Sequence, residues 1–104
     1  YCYPERWVNV GHGDAVAQGQ AHAESKVRVL LDLLERELAR YGPGLLGDRY
    51  SAIYAYALMQ CRWTRNFEQP ARSRAHLGPY LQRVLERPAV QRAFATEQIG
   101  QPWV

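Results

Sequence analysis

Val27, Leu30, Leu31, Leu34, Leu38 and Tyr41 recur at three- and four-residue intervals. That spacing lines side chains along one face of an α-helix. Glu35, Arg36, Glu37 and Arg40 fall mostly on the other side of the same stretch, where water can solvate them. Gly42-Pro43-Gly44 closes it: glycine tolerates the left-handed conformation in which helices often end, and proline cannot continue a helix. The expectation is a helix from about Gln20 to Tyr41 with one buried stripe, which other elements must cover.

Three later segments can supply that cover. A second helix is expected to start near Ser51, whose hydroxyl can accept from exposed backbone N–H groups, and to run to about Arg65. Ile53, Tyr56, Ala57, Gln60, Cys61 and Trp63 leave it few charged positions before Arg62, so it should be central and contacted from several sides. Leu77, Tyr80, Leu81, Val84 and Leu85 repeat the helical spacing, and Pro79 fits that helix only within its first turn. Arg87-Pro88 breaks the path, and the proline is suited to open a short fourth helix through Val90, Ala93 and Phe94. Before Gln20, the aromatics Tyr1, Tyr3 and Trp7, Pro4 and Gly11-His12-Gly13-Asp14 read as the end of one element followed by a plain turn. Residues 100–104 read as irregular. With no strand signal, internal repeat or low-complexity tract, the fold class is all-α.

A chain of 104 residues is sized for a single domain, spanning 1–104, and buries about two-thirds of its unfolded surface. The net charge of +3 comes almost wholly from arginine, with Lys26 the only lysine. Those arginines are interleaved with acids, as in the i, i+4 pair Asp32 and Arg36, and form no basic block, so no nucleic-acid partner is expected. No apolar run reaches the about 18 residues that span a bilayer, and no signal-peptide pattern opens the chain, so no membrane association is expected. Cys2 and Cys61 have neither metal nor redox spacing. They read as small apolar residues or free thiols, which suits a reducing, cytoplasmic setting. His12, His22 and His76 lack zinc-type spacing, so no metal is expected.

The order of segments carries a resemblance. Gly47-Asp48-Arg49-Tyr50-Ser51 leads into a helix ending Arg62-Trp63; an amphipathic helix follows, then Glu86-Arg87-Pro88-Ala89-Val90-Gln91. Over residues 20–98 this resembles the all-helical C-terminal domain of bacterial glutathione S-transferases, and implies a helical bundle of that kind. Tyr3-Pro4-Glu5-Arg6-Trp7 would then close the family's first C-domain helix, most of which, with the thioredoxin-like domain, is expected to be absent here. The chain departs from the family at one position. A Ser/Thr-x-x-Asp capping box, in which two side chains bond backbone N–H groups reciprocally, usually opens the second helix, but here Ser51 is followed by Tyr54. Loss of such a cap costs about 1 kcal/mol, so by the sequence pattern Tyr54→Asp is expected to raise the melting temperature.

By the same resemblance, glutathione is the co-substrate of the full-length family and is held and activated mainly by the thioredoxin-like domain. No catalytic residue can be assigned here, and no cofactor is expected for these residues alone. The helical domain supplies the apolar wall for a hydrophobic electrophile, which places Trp63 and Arg62 at the border of the site, with Tyr1 and Tyr3 facing them. Aromatic faces suit flat apolar ligands and arginine suits an anionic group. The plainer alternative is that Trp63, Tyr54 and Tyr56 are core. Gly11-His12-Gly13 lacks the preceding strand of a phosphate cradle, and Cys61, on a helix read as buried, is expected to be inert. Two functions follow. One is the helical half of a glutathione transferase, dimeric in the family and inactive alone; the other is a non-catalytic module for protein interaction or dimerisation.

Overall fold

The stripe around Leu31 and Leu38 does form a helix, and it begins earlier than its apolar pattern. In a computed structural model, which describes Tyr3, Arg6, residues 13–45 and residues 49–104, helix α1 spans Gly13–Tyr41. Gly13 and Asp14, read as part of a turn, are its first residues, while Gly11 and His12 lie outside the described residues. Ala15, Ala17, Ala21 and Ala23 are strong helix formers without an apolar stripe, and Asp14 meets the positive end of the helix dipole. The stripe is also rotated from the expected one. Leu31 and Leu38 are 4% exposed, but Leu30 and Tyr41 are 59% exposed. Each residue advances roughly 100° round the helix, so Leu30 lies a quarter-turn off the face centred on Leu31. The chain then leaves α1 through a cis Gly42–Pro43 bond, and Gly42 does not take the left-handed conformation expected of it.

Three further α-helices follow: α2 Ala52–Arg62, α3 Leu77–Leu85 and α4 Pro88–Thr96, with a single 3-10 turn at Ala71–Ser73 between α2 and α3. The all-α class is therefore observed. No helix among the described residues is long and apolar enough to cross a membrane.

The chain divides into two compact units, Tyr1–Leu33 and Leu34–Val104. In the first, α1 carries an ion pair between Glu24 and Arg28 at 2.9 Å, and Val29, Leu30 and Leu33 are exposed. The second unit is organised by α3, which packs against α2, the 3-10 turn and α4. All five residues of its apolar stripe, Leu77, Tyr80, Leu81, Val84 and Leu85, are buried. Gly78 permits the close approach of the 3-10 turn, because a Cβ there would sit 2.5 Å from the Arg72 carbonyl oxygen.

The start of α3 is fully satisfied, and by a residue read as solvent-facing. The Glu35 carboxylate, from α1, accepts from the backbone N–H groups of His76 and Leu77, each at 2.8 Å. Its Oε1 is also 2.8 Å from His76 Nδ1. Gly78 N–H donates to Arg74 O at 3.0 Å, and Pro79, in the first turn as expected, has no N–H to satisfy. A second buried polar link joins α2 to the 3-10 turn. Thr64, 2% exposed, donates from Oγ1 to Cys61 O at 2.7 Å and accepts from Ala71 N–H at 2.9 Å.

Pro88 opens α4 at its first turn as expected, and Val90 and Phe94 turn inward. The irregular 100–104 segment is pinned rather than loose. Arg62 donates to the carbonyls of Pro102 and Trp103 at 3.1 and 2.7 Å, and Arg72 donates to that of Val104 at 2.5 Å. Trp103 meets Phe94 edge-on at 6.2 Å.

Candidate functional site

Helix α2 is less enclosed than its lack of charge suggested. Ala57, Leu58 and Cys61 are buried, whereas Ile53, Tyr56, Met59 and Trp63 are between 41% and 67% exposed. Burial pushes the Cys61 thiol up to about 11, so it is a protonated core residue with no nucleophilic character. Trp63, half-exposed just beyond α2, is available to a ligand. Arg62 is committed elsewhere: besides its two carbonyl contacts, its guanidinium lies 5.9 Å from the Phe94 ring centre. Burial first, and the charge of Arg65 second, lower its pKa. Tyr3 is exposed in the first unit with the Arg6 guanidinium 4.4 Å over its ring, and Tyr1 lies outside the described residues. Trp63 and Arg62 are thus neighbours with different tasks.

At the other end of α2 the sequence pattern gave no warning of a cleft. Tyr50 and Tyr54 are four residues apart, on the lead-in to α2 and its first turn; Tyr80, Arg83 and Arg87 descend α3 and the link to α4. Their side chains, with Pro43, line an open cleft of about 220 Å³. Tyr54 is the hinge of the arrangement: its ring centre is 5.0 Å from that of Tyr50 and 5.3 Å from that of Tyr80. The Arg87 guanidinium stacks 3.6 Å over the Tyr50 ring, and Arg83 donates to the Pro43 carbonyl. The signal that could have found the cleft is the pair of i, i+4 repeats, Tyr50 with Tyr54 and Arg83 with Arg87.

Tyr80 is 1% exposed, yet its hydroxyl is buried without a hydrogen-bond partner. Burial, the neighbouring Tyr54, Cys61 and Tyr50, in that order, raise its pKa, and Arg83 opposes them. The phenol therefore stays protonated and can donate. Among the described residues no group of three or more His, Cys, Asp or Glu side chains could hold a metal ion.

Compared with models of known families, with curated proteins and with solved structures, the chain matches none.

The geometry reverses the expectation for the capping position. Ser51 does cap α2, its Oγ accepting from Ile53 N–H at 3.4 Å. Tyr54 contributes two ring contacts instead of a second cap. Aromatic pairs are worth about 0.5–1.5 kcal/mol each beyond their buried area, against about 1 kcal/mol for a cap. Tyr54→Asp should therefore lower the melting temperature, by roughly 5 °C for a loss of about 1 kcal/mol in a domain of this size. Thermal unfolding followed by circular dichroism checks the sign, and a rise would show that the missing cap outweighs the stacked rings.

Proposed function

We propose that this chain is a helical domain of glutathione S-transferase type, which presents an apolar wall to a hydrophobic electrophile and performs no transfer alone. The observation that carries the reading is the exposed face of α2. Ile53, Tyr56, Met59 and Trp63 are all exposed and, at roughly 100° per residue, share about a third of the helix circumference. A solvated helix seldom spends four large apolar residues on one face, and a flat apolar ligand or a companion domain would use them. A further support is that the two segments on which the resemblance rests meet in space, through Arg87 stacked on Tyr50. Glutathione would be held and its thiol activated by the companion domain, with Trp63 orienting the second substrate. Arg62 has a structural part in this reading, tying down residues 102 and 103.

The test is a titration followed by NMR. A chlorinated dinitrobenzene should shift the Met59 methyl and Trp63 indole signals, glutathione alone should shift nothing, and the two together should give no turnover. Trp63→Ser should weaken the nitroaromatic about tenfold, the loss expected for a stacked aromatic contact of about 1.4 kcal/mol. Turnover by this polypeptide alone, or a nitroaromatic that leaves Met59 and Trp63 unmoved, would overturn the proposal.

The reading as an interaction or dimerisation module has its own support. Val29, Leu30 and Leu33, exposed together on α1, form an apolar patch suited to association. Sedimentation of the chain and of its Leu30→Glu variant separates a self-associating protein from a monomer.

A further inference from the structure

The cleft between α2 and α3 has a chemistry of its own, whatever becomes of the transferase reading. Its aromatic component is a run of three tyrosine rings, each about 5 Å from the next. Its charge is uniformly positive. Arg83 uses one of five N–H donors on Pro43 O, and the Arg87 guanidinium carbon lies 3.6 Å over the centre of the Tyr50 ring. A guanidinium over a ring face keeps N–H donors at its rim for an acceptor. No carboxylate pairs with either arginine among the described residues. An anion in the cleft would meet both guanidinium groups, with no acid among the described lining residues to compete for them.

The third observation is Tyr80, which lines the cleft and whose hydroxyl is buried without a partner, so that an incoming acceptor reaches it by turning a neighbouring side chain aside. Buried hydroxyls are nearly always hydrogen-bonded, and leaving one unpaired has a cost. A phenol beside two arginines is completed by a group that only accepts hydrogen bonds, which is the description of a carboxylate. The volume, about 220 Å³, is enough for a single-ring molecule.

We propose that this cleft binds a small aromatic carboxylate, its ring against Tyr50 and Tyr54 and its carboxylate shared by Arg83, Arg87 and the Tyr80 hydroxyl. Neutral aromatics lack the partner for the arginines, and small aliphatic acids lack the ring. The site is separate from the exposed face of α2: none of Ile53, Tyr56, Met59 and Trp63 lines the cleft.

The experiment titrates the full chain with benzoate, benzyl alcohol and acetate, reading the Arg83 and Arg87 side-chain Nε–H signals and the Tyr80 ring by NMR. Benzoate should shift all three saturably, at least fivefold more tightly than benzyl alcohol or acetate. Arg83→Gln should weaken benzoate about tenfold while leaving benzyl alcohol unchanged. Because that variant also loses the contact to Pro43, Tyr80→Phe serves as the second variant. It removes one oxygen, keeps the ring and should weaken benzoate several-fold without loss of fold by circular dichroism. A preference for benzoate below fivefold, no saturable shift, or equal affinity in the folded Tyr80→Phe protein would each overturn the proposal. Failure here leaves the Met59 and Trp63 signals free to report on the transferase reading, so the two proposals fall separately.

Discussion

Thr64→Val should destabilise the protein by about 2 kcal/mol, the penalty for leaving a buried donor unpaired, although it exchanges a hydroxyl for a methyl at nearly constant volume. The reason is where the hydroxyl sits. Thr64 is 2% exposed and Ala71 wholly buried, and the Ala71 N–H has the Thr64 oxygen as its acceptor, at 2.9 Å. Valine leaves that donor without an acceptor in a place water does not reach. The same change loosens the grip of α2 on the 3-10 turn against which α3 packs, so the loss should not stay local. For a domain of this size it corresponds to a fall in melting temperature of roughly 10 °C. Thr64→Ser keeps the hydroxyl and loses only a methyl, so it should cost less than half as much. Urea denaturation of the three proteins at neutral pH decides the matter: a valine variant with the wild-type midpoint beside a serine variant with a lowered one would mean that Thr64 matters for its methyl group alone.

Thr64 also shows where sequence reading reached its limit. Periodic apolar residues announce a helix because the period repeats, and so α3 and its five buried residues were legible, as was Pro88 at the start of α4. The helix-forming tract before Gln20 was not, since its alanines stabilise α1 through backbone propensity without marking a face. Thr64, Glu35 and Arg62 each act through hydrogen bonds to backbone groups outside their own helical turn. Arg62, assigned to a ligand by resemblance, instead holds residues 102 and 103, and no spacing encodes a partner forty residues away. The cleft fell between these cases. Tyr54 departs from the capping pattern in the sequence, and in the structure its ring meets those of Tyr50 and Tyr80. Trp63 is exposed beyond the end of α2, and so are Ile53, Tyr56 and Met59, because a helix face without charge need not be a covered one.

The larger effect is expected at Glu35. Glu35→Ala should cost about 3 kcal/mol, the scale of charge-assisted hydrogen bonds to a partly buried group, because two first-turn N–H groups of α3 lose their acceptor together. Glu35→Gln keeps one accepting oxygen and should fall between the two. The carboxylate also makes stability depend on pH in a defined direction. Desolvation, the largest single influence, pushes the Glu35 pKa up, but the hydrogen bonds from Leu77 and His76 together outweigh it and hold the pKa below its ordinary value of 4.5. The unfolded chain therefore takes up the proton at higher pH than the folded one. The contribution is fully present above the ordinary value and is lost as pH falls through the lowered one. The stability difference between the wild-type protein and Glu35→Gln should accordingly be largest at neutral pH and shrink below pH 4.5, while the variant itself lacks this component of the acid transition. Urea titrations of both proteins at pH 7 and in acid give the answer. A difference that persists undiminished in acid would mean that the ionised carboxylate is not what holds the start of α3.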